Sequence, residues 1–187
     1  MTDPDHTARR ERHDALFRIH HDAVWRYAVR RVGVDRAEDV VSETFLVAWR
    51  RLETMSEHEQ AWLIGVARRV VANQHRSVNR QAGLVARLAG QRPLENPHPE
   101  PAAVPDVPAD DVLCALATLP QRDQEALRLV YWDNLEPAQA ARAFGCSPVA
   151  MRVRLHRARA RLARTLADQG FAPGDDPQLT PYRPTEA

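Results

Sequence analysis

The sequence predicts an all-α protein of two small helical domains joined by a proline-rich, acidic linker. Apolar residues recur at helical period through most of the 187 residues, and no segment alternates convincingly at period two. Segment 93–111 breaks this pattern with six prolines and five acids, and each proline removes a backbone donor. We therefore place the domains at residues 10–90 and 111–168, the linker at 91–110 and a disordered tail at 169–187.

Composition narrows the class of protein. The chain is 44% apolar and 27% charged, and no apolar run approaches the roughly 18 residues of a membrane span. The polar N-terminus does not resemble a signal peptide, so we expect a soluble, cytoplasmic protein without membrane insertion. Cys114 and Cys146 lie in different segments without a CxxC motif. We interpret both as buried apolar residues, and we expect no metal site and no cofactor.

Charge is segregated along the chain although its net value is only +1. Residues 34–60 hold seven acids and three arginines, whereas residues 61–92 hold six arginines and no acid. Residues 137–167 hold seven arginines and again no acid. This pattern indicates separate surfaces for separate partners.

The acidic block contains an amphipathic helix between Asp35 and Leu52. The predicted buried stripe is Val41, Phe45, Ala48 and Leu52. The opposite face carries Asp39, Glu43, Leu46 and Arg50. Two acids at i and i+4 around an exposed leucine favour a protein-binding rim and anchor, although a solvated face remains the alternative.

The first basic block forms a helix with arginines along one side. That side carries Gly65, Arg69, Ala72, Asn73, Arg76 and Arg80, and the other side carries Leu63, Ala67 and Val70. Arginines can hold the phosphates of a single strand while its bases enter pockets. We assign Trp62 to the core rather than to base stacking.

The second basic block follows a short turn between two helices. Gly145 suits a helix C-terminus, Ser147 an N-cap and Pro148 a first helical position, which predicts a helix-turn-helix. The predicted buried stripe of its second helix is Met151, Leu155, Ala158, Leu162 and Leu166. The residues facing away are Val153, His156, Arg157 and Arg164, with Arg152 and Arg159 on one flank and Arg154 and Arg161 on the other.

Such a helix fits the DNA major groove. Arg157 lies in the first three turns and suits a bidentate contact to guanine, whereas Val153 offers an apolar contact. Arg161 and Arg164 lie farther along and are expected to reach phosphates at most. A solvated, arginine-rich helix is the alternative.

These blocks together resemble an extracytoplasmic-function (group IV) sigma factor of the sigma-70 family. The segments that carry the resemblance are "LFRIHHDAVWRYAVRRVGVDRAEDVVSETFLVAWRRL", "AWLIGVARRVVANQHRSVNRQ" and "LATLPQRDQEALRLVYWDNLEPAQAARAFGCSPVAMRVRLHRARARL". They cover most of residues 14–166 in the family's order. The resemblance implies a subunit that binds core RNA polymerase and directs transcription from promoters.

The resemblance also implies roles for individual residues. Core polymerase, with its β and β′ subunits, would contact Asp39, Glu43 and Leu46. Minus-10 DNA would contact Arg69, Asn73, Arg76 and Arg80, next to a selecting loop at Thr54–Gln60. Minus-35 DNA would contact Arg152, Val153, His156 and Arg157. The sequence departs from the family at Ser42, where glutamine is usual, at Arg69, where asparagine is common, and at Ile64, where an aromatic often sits.

The linker resembles the family segment that threads the polymerase cleft, and a solvated spacer is the alternative. The resemblance implies promoter DNA and an anti-sigma factor as further partners. We find no phosphate loop, HExxH or Ser/His/Asp arrangement, so we expect no enzyme. A DNA-binding regulator that needs no polymerase and a helical adaptor remain the competing hypotheses.

Overall fold

The computed structural model describes residues 4–55, 58–88 and 110–170, with side chains at 6–55, 58–77 and 111–170. The N-terminal helices are α1 (Pro4–Val32), α2 (Val34–Arg50) and α3 (Glu59–Leu88), with a 3-10 turn at Leu52–Thr54. The C-terminal helices are α4 (Asp110–Ala117), α5 (Gln121–Tyr131), α6 (Pro137–Phe144) and α7 (Pro148–Asp168). These described residues contain no strand, and the all-α prediction is confirmed.

Helices α1, α2 and α3 pack against one another as the N-terminal domain. The chain turns from α1 into α2 at Gly33, whose φ of 79° is a left-handed conformation that glycine adopts without strain. The predicted α2 stripe is buried as expected: Val41, Phe45, Ala48 and Leu52 are all at most 4% exposed. The apolar period of the sequence therefore fixes which side of α2 enters the core.

Helix α1 begins at Pro4, before residue 10, where we placed the start of the domain. Its first turns are held by Trp49 at the end of α2. Arg9 donates a hydrogen bond to the Trp49 carbonyl oxygen over 2.8 Å, and the guanidinium lies 4.9 Å from the indole centroid. The His13 ring meets the same indole edge-on at 5.3 Å. These contacts attach residues 6–15 to the domain.

Helices α4 to α7 form the C-terminal domain around the apolar face of α7. Every residue of the predicted α7 stripe from Met151 to Leu166 is buried, and none is more than 8% exposed. Helix α4 was not predicted. Buried Gln124 on α5 fixes the turn after α4 by donating hydrogen bonds to the carbonyl oxygens of Ala117 and Leu119, at 3.1 and 2.8 Å.

The cysteine prediction was wrong. Cys114 on α4 is exposed, because it points away from the face that packs against α7, and Cys146 is only half-buried in the turn before α7. The proline-rich linker before Asp110 and the predicted tail after Gly170 lie outside the described residues.

The two domains touch through α3 and α6. Gly65 on α3 lies so close to α6 that a Cβ added to it would sit 3.2 Å from the Cα of Ala143. A methyl group at Gly65 would push the two helices apart, so glycine permits this close helix crossing.

Candidate nucleic-acid interface

The start of helix α7 is fixed by capping residues at its N-terminus. Gly145 ends α6 with a φ of 81°, and the Ser147 hydroxyl accepts a hydrogen bond from the Ala150 amide over 3.2 Å. Pro148 occupies the first turn. These predicted cap positions are confirmed, and α6 and α7 form the predicted helix-turn-helix.

The outward side of α7 presents the predicted minus-35 residues to solvent. They are Arg152, Val153, His156 and Arg157, all exposed. Val153 is 45% exposed despite its apolar side chain, which suits contact with a thymine methyl group. The structure thus brings these four residues together within the first three turns of one helix.

The other α7 arginines differ in their internal contacts. Arg154 and Arg161 both donate to the buried carboxylate of Asp123 on α5, the former over 3.3 Å. Arg159 donates to the Tyr131 hydroxyl over 2.8 Å. Arg161, for which the sequence suggested a phosphate contact, therefore has an internal acceptor. Arg157 and Arg164 have no hydrogen-bond or ion-pair partner among the described residues.

Helix α3 presents the second basic face. Arg69, Asn73 and Arg76 are exposed, and Arg76 donates a hydrogen bond to the Asn73 side-chain oxygen over 2.5 Å. The side chain of Arg80 lies outside the described residues. The face is shorter than predicted, because Gly65 at its N-terminal end is buried against α6.

A groove of about 330 Å³ runs between α2 and α3. Its lining residues are Glu43, Val47, Arg51, Trp62, Val66, Arg69, Val70 and Asn73. Trp62 is half-buried and borders this groove, so its placement in the core is only partly right. Glu43, predicted to contact polymerase, borders the same groove as two predicted minus-10 residues.

The outer face of α2 carries the predicted polymerase-binding residues. Asp39, Glu43 and Leu46 are exposed, Leu46 by 48%. Phe17 on α1 was not predicted as a surface residue; its side chain is 40% exposed, and its ring centroid lies 4.7 Å from that of Phe45. Phe17 is therefore an exposed apolar side chain at the contact between α1 and α2.

A network of charged side chains, which the sequence did not predict, joins the domains. Arg30 and Arg31 at the end of α1 both pair with Asp133 after α5, Arg31 at 3.2 Å. Arg31 also pairs with Glu125 on α5 at 3.2 Å, and the Tyr27 hydroxyl donates to Glu125 over 3.2 Å. Only 1% of the Asp133 side chain and 6% of the Arg31 side chain are exposed.

Burial and charge shift the ionisation of this network. Burial raises the pKa of the Asp133 carboxyl above its ordinary value, while Arg31 and Arg30 oppose that shift. Burial, and next the charge of Glu125, raises the pKa of the Tyr27 hydroxyl well above 10.0. Burial alone would lower the pKa of Arg31, but Glu125 and the other nearby groups outweigh it and the net shift is upward. Arg31 is therefore a fixed positive charge inside the contact.

Two further features are absent from the described residues. No group of three or more His, Cys, Asp or Glu side chains there is arranged to hold a metal ion. None of the helices in that part of the chain is long and apolar enough to cross a membrane.

The fold and these surfaces define a class: a two-domain helical DNA-binding protein whose C-terminal domain carries a helix-turn-helix. Residues 16–81 match the family model of sigma-70 region 2, and residues 109–162 match that of sigma-70 region 4. The sigma factor SigL of Mycobacterium tuberculosis is 32% identical over 161 residues, which cover 83% of this chain and 89% of SigL. The chain belongs to the extracytoplasmic-function (ECF) RNA polymerase sigma factors of the sigma-70 family.

Two further comparisons agree with this membership. The ECF sigma factor BldN of Streptomyces coelicolor is 32% identical over 158 residues, 82% of this chain but only 60% of BldN. The sigma factor RpoE of Bartonella quintana, solved in complex with the anti-sigma factor NepR, superposes with a TM-score of 0.60 at 25% identity. That match covers 82% of this chain and 96% of RpoE.

Proposed function

We propose that the chain directs transcription initiation through three separate surfaces. The outer face of α2 binds core polymerase, the exposed part of α3 binds the minus-10 strand, and the outward side of α7 reads the minus-35 element. The observation that carries this proposal is the separation of two exposed basic faces from one exposed acidic and apolar face. Each face has the chemistry that its partner requires.

The polymerase surface combines an apolar anchor with an acidic rim. Leu46 supplies exposed apolar area, and Asp39 and Glu43 on the same helix border it with negative charge. Such an arrangement suits a basic, partly apolar surface on the β′ subunit, with the β subunit nearby. The chain itself supplies no catalytic group in this proposal, and the polymerase performs the chemistry in the cytoplasm.

An anti-sigma factor is the remaining proposed partner. Its support is the family to which the chain belongs and the likeness to RpoE, whose structure was solved with NepR. A protein that covers the outer face of α2 would prevent polymerase binding without any change in the DNA-reading residues.

The first experiment is in vitro transcription from a genomic promoter library with core polymerase. The purified chain is expected to support promoter-specific initiation only in the presence of core polymerase. A chain that shifts promoter DNA alone and adds nothing to core polymerase would be a helix-turn-helix regulator instead.

The polymerase surface is tested by Asp39→Arg combined with Glu43→Arg. We expect this double variant to lose holoenzyme formation by at least tenfold while its circular dichroism stays unchanged, because both side chains are exposed. The matched control is Asp111→Arg with Asp168→Arg, the same charge change on exposed residues of the other domain. Co-purification of the first variant with core polymerase at wild-type yield would refute the assignment.

A further inference from the structure

The arginines on the two flanks of α7 contact opposite ends of α5. On one flank, Arg154 and Arg161 both pair with the buried carboxylate of Asp123. On the other flank, Arg159 donates from Nε to the hydroxyl of Tyr131 over 2.8 Å. Asp123 lies in the first turn of α5, and Tyr131 is its last residue. One helix therefore holds arginines on both sides of the DNA-reading face, but through two different acceptors.

The two acceptors leave different charges on the surface. The Asp123 carboxylate is negative, so it compensates part of the positive charge on its flank and competes with other anions for both arginines. A tyrosine hydroxyl carries no charge at neutral pH, so Arg159 keeps its full positive charge. No acidic side chain among the described residues forms an ion pair with Arg159. The Tyr131 flank is therefore the more favourable one for an anion.

Tyr131 holds the Arg159 side chain in place without covering it. The guanidinium lies 5.5 Å from the centroid of the Tyr131 ring, in addition to the hydrogen bond from Nε. Both residues are exposed, Tyr131 by 37%. The N–H groups of Nη1 and Nη2 have no acceptor among the described residues, and these groups form the fork that matches two phosphate oxygens.

An exposed arginine–tyrosine contact adds little to the stability of a fold. Its larger effect is on binding, because a side chain that is already held loses less conformational entropy when a ligand arrives. The geometry of this pair therefore suits a ligand contact better than a structural role.

The place of Arg159 on α7 indicates which anion it meets. Arg159 follows His156 by three residues and Arg152 by seven, so the three side chains lie along one flank over two helical turns. Arg152 and His156 are proposed minus-35 contacts, and both are exposed. A DNA strand that follows this flank brings its backbone phosphates past Arg159.

We propose that Tyr131 is a positioning residue that holds Arg159 for a backbone phosphate at the edge of the minus-35 element. This proposal rests on the proposed function, in which α7 reads that element. The contact carries no sequence information, so it strengthens binding to every minus-35 sequence by the same factor. The Asp123 flank contributes less to DNA binding, because its arginines already have a carboxylate partner.

The first test is the salt dependence of promoter binding by the assembled holoenzyme, from about 50 to 200 mM salt. Arg159→Ala should reduce the slope of log K against log salt by about 0.9, the value for one lost phosphate contact. Arg161→Ala removes the same charge from the opposite flank and should reduce the slope by less. Arg26→Ala, at an exposed position on α1, is the control for a charge lost elsewhere and should leave the slope unchanged.

Tyr131→Phe separates positioning from charge. It keeps the ring and the Arg159 charge, so the slope should stay at its wild-type value. The Kd should nevertheless rise for all minus-35 sequences by about two- to tenfold, the range for one lost hydrogen bond. The helix content should not change, because Tyr131 is exposed.

The double variant decides between positioning and a merely structural role. Tyr131→Phe combined with Arg159→Ala should bind DNA as well as Arg159→Ala alone, because the hydroxyl acts only through the arginine. If Tyr131→Phe weakens binding by the same factor in both backgrounds, Tyr131 does not position Arg159. A wild-type slope in Arg159→Ala, or an equal reduction in Arg161→Ala, would overturn the proposed phosphate contact and the difference between the flanks.

The same variants are also measured as the free chain on duplex DNA at low salt. If the wild-type chain adds nothing to core polymerase, the proposed function fails. The salt slopes of the free chain would still show whether Arg159 contacts a phosphate and whether Tyr131 acts through it.

Discussion

Two buried aspartates of the C-terminal domain each pair with two arginines, but the arginines lie in different domains. Asp123 binds Arg154 and Arg161, both on α7 of its own domain. Asp133 binds Arg30 and Arg31, both on α1 of the other domain. The side-chain exposure is 6% at Asp123 and 1% at Asp133.

The two aspartates differ in the movement that would separate each one from its arginines. Asp123 cannot leave its arginines unless α5 separates from α7, which means unfolding the domain. Asp133 can leave its arginines by a rigid movement of one domain away from the other. A buried ion pair therefore stabilises the fold of one domain at the first position and the contact between the two domains at the second.

The largest effect in this comparison is expected from Asp133→Ala, which removes the central carboxylate of the domain contact. Removing one member of a buried pair costs about 3–5 kcal/mol, and here the cost falls on the contact between the domains because Arg31 loses an acceptor. We expect the free protein to open, with an increased radius of gyration in small-angle X-ray scattering and unchanged helix content. A variant that remains as compact as the wild type would show that Asp133 does not hold the domains together.

The matched variant at the other site is Asp123→Ala. Hydrogen bonds to charged groups contribute about 1.5–3 kcal/mol each, and the half-exposed Arg161 regains water when its partner is lost. We expect unfolding free energy to fall by about 2 kcal/mol, with faster hydrogen exchange in α5 and α7. The domain contact should survive, so an opened but equally stable protein would contradict the comparison.

The α7 arginines likewise differ in whether they bind a partner within the protein. Arg157 lacks an internal partner among the described residues, so Arg157→Ala should relax selectivity at one minus-35 position by about 1–3 kcal/mol. Arg164→Ala should weaken binding to all minus-35 sequences by the same factor. Arg161→Ala should mainly lower the stability of the domain, because Asp123 loses one of its partners. A promoter-library selection measures these outcomes. If Arg157→Ala lowers transcription from all minus-35 variants by the same factor, Arg157 makes only an electrostatic contact.

The sequence predicted the features that depend on local pattern. The α7 stripe from Met151 to Leu166 and the Gly145 and Ser147 caps follow from helical period and backbone preference, and the structure confirms them. The exposure of Asp39 and Leu46 follows from the same period.

The missed features depend on contacts between residues distant in sequence. Arg31 and Asp133 are 102 residues apart, and no spacing rule links them. Gly65 fell on the basic side of its helix by period, yet packing against Ala143 buries it. Among the α7 arginines, the sequence placed Arg154 and Arg161 on one flank but did not reveal that Asp123 binds both.

The smallest expected effect concerns Tyr27, which lies inside the domain contact. The charged groups that face it are Glu125, Arg31, Asp133 and Arg68. Its hydroxyl pKa is raised well above 10.0, by burial first and by Glu125 second, so the contact between the domains favours the neutral phenol. That contribution to the contact is present below pH 10.0 and is lost as pH rises through the raised pKa.

The chain contains no lysine, so tyrosines dominate the alkaline range once both cysteines are replaced by serine. Arg128 also interacts with this network, and burial, followed by the charge of Arg31, lowers the pKa of its guanidinium from the ordinary value. We therefore expect the serine-substituted protein to open reversibly above about pH 10, as a fall in sedimentation coefficient. Tyr27→Phe should lose one hydrogen bond, about 0.5–1.5 kcal/mol, yet stay closed over the same pH range. Tyr131→Phe is the control, since Tyr131 is exposed and should leave the alkaline transition in place. If Tyr27→Phe opens at the same pH as this control, ionisation of Tyr27 does not weaken the contact.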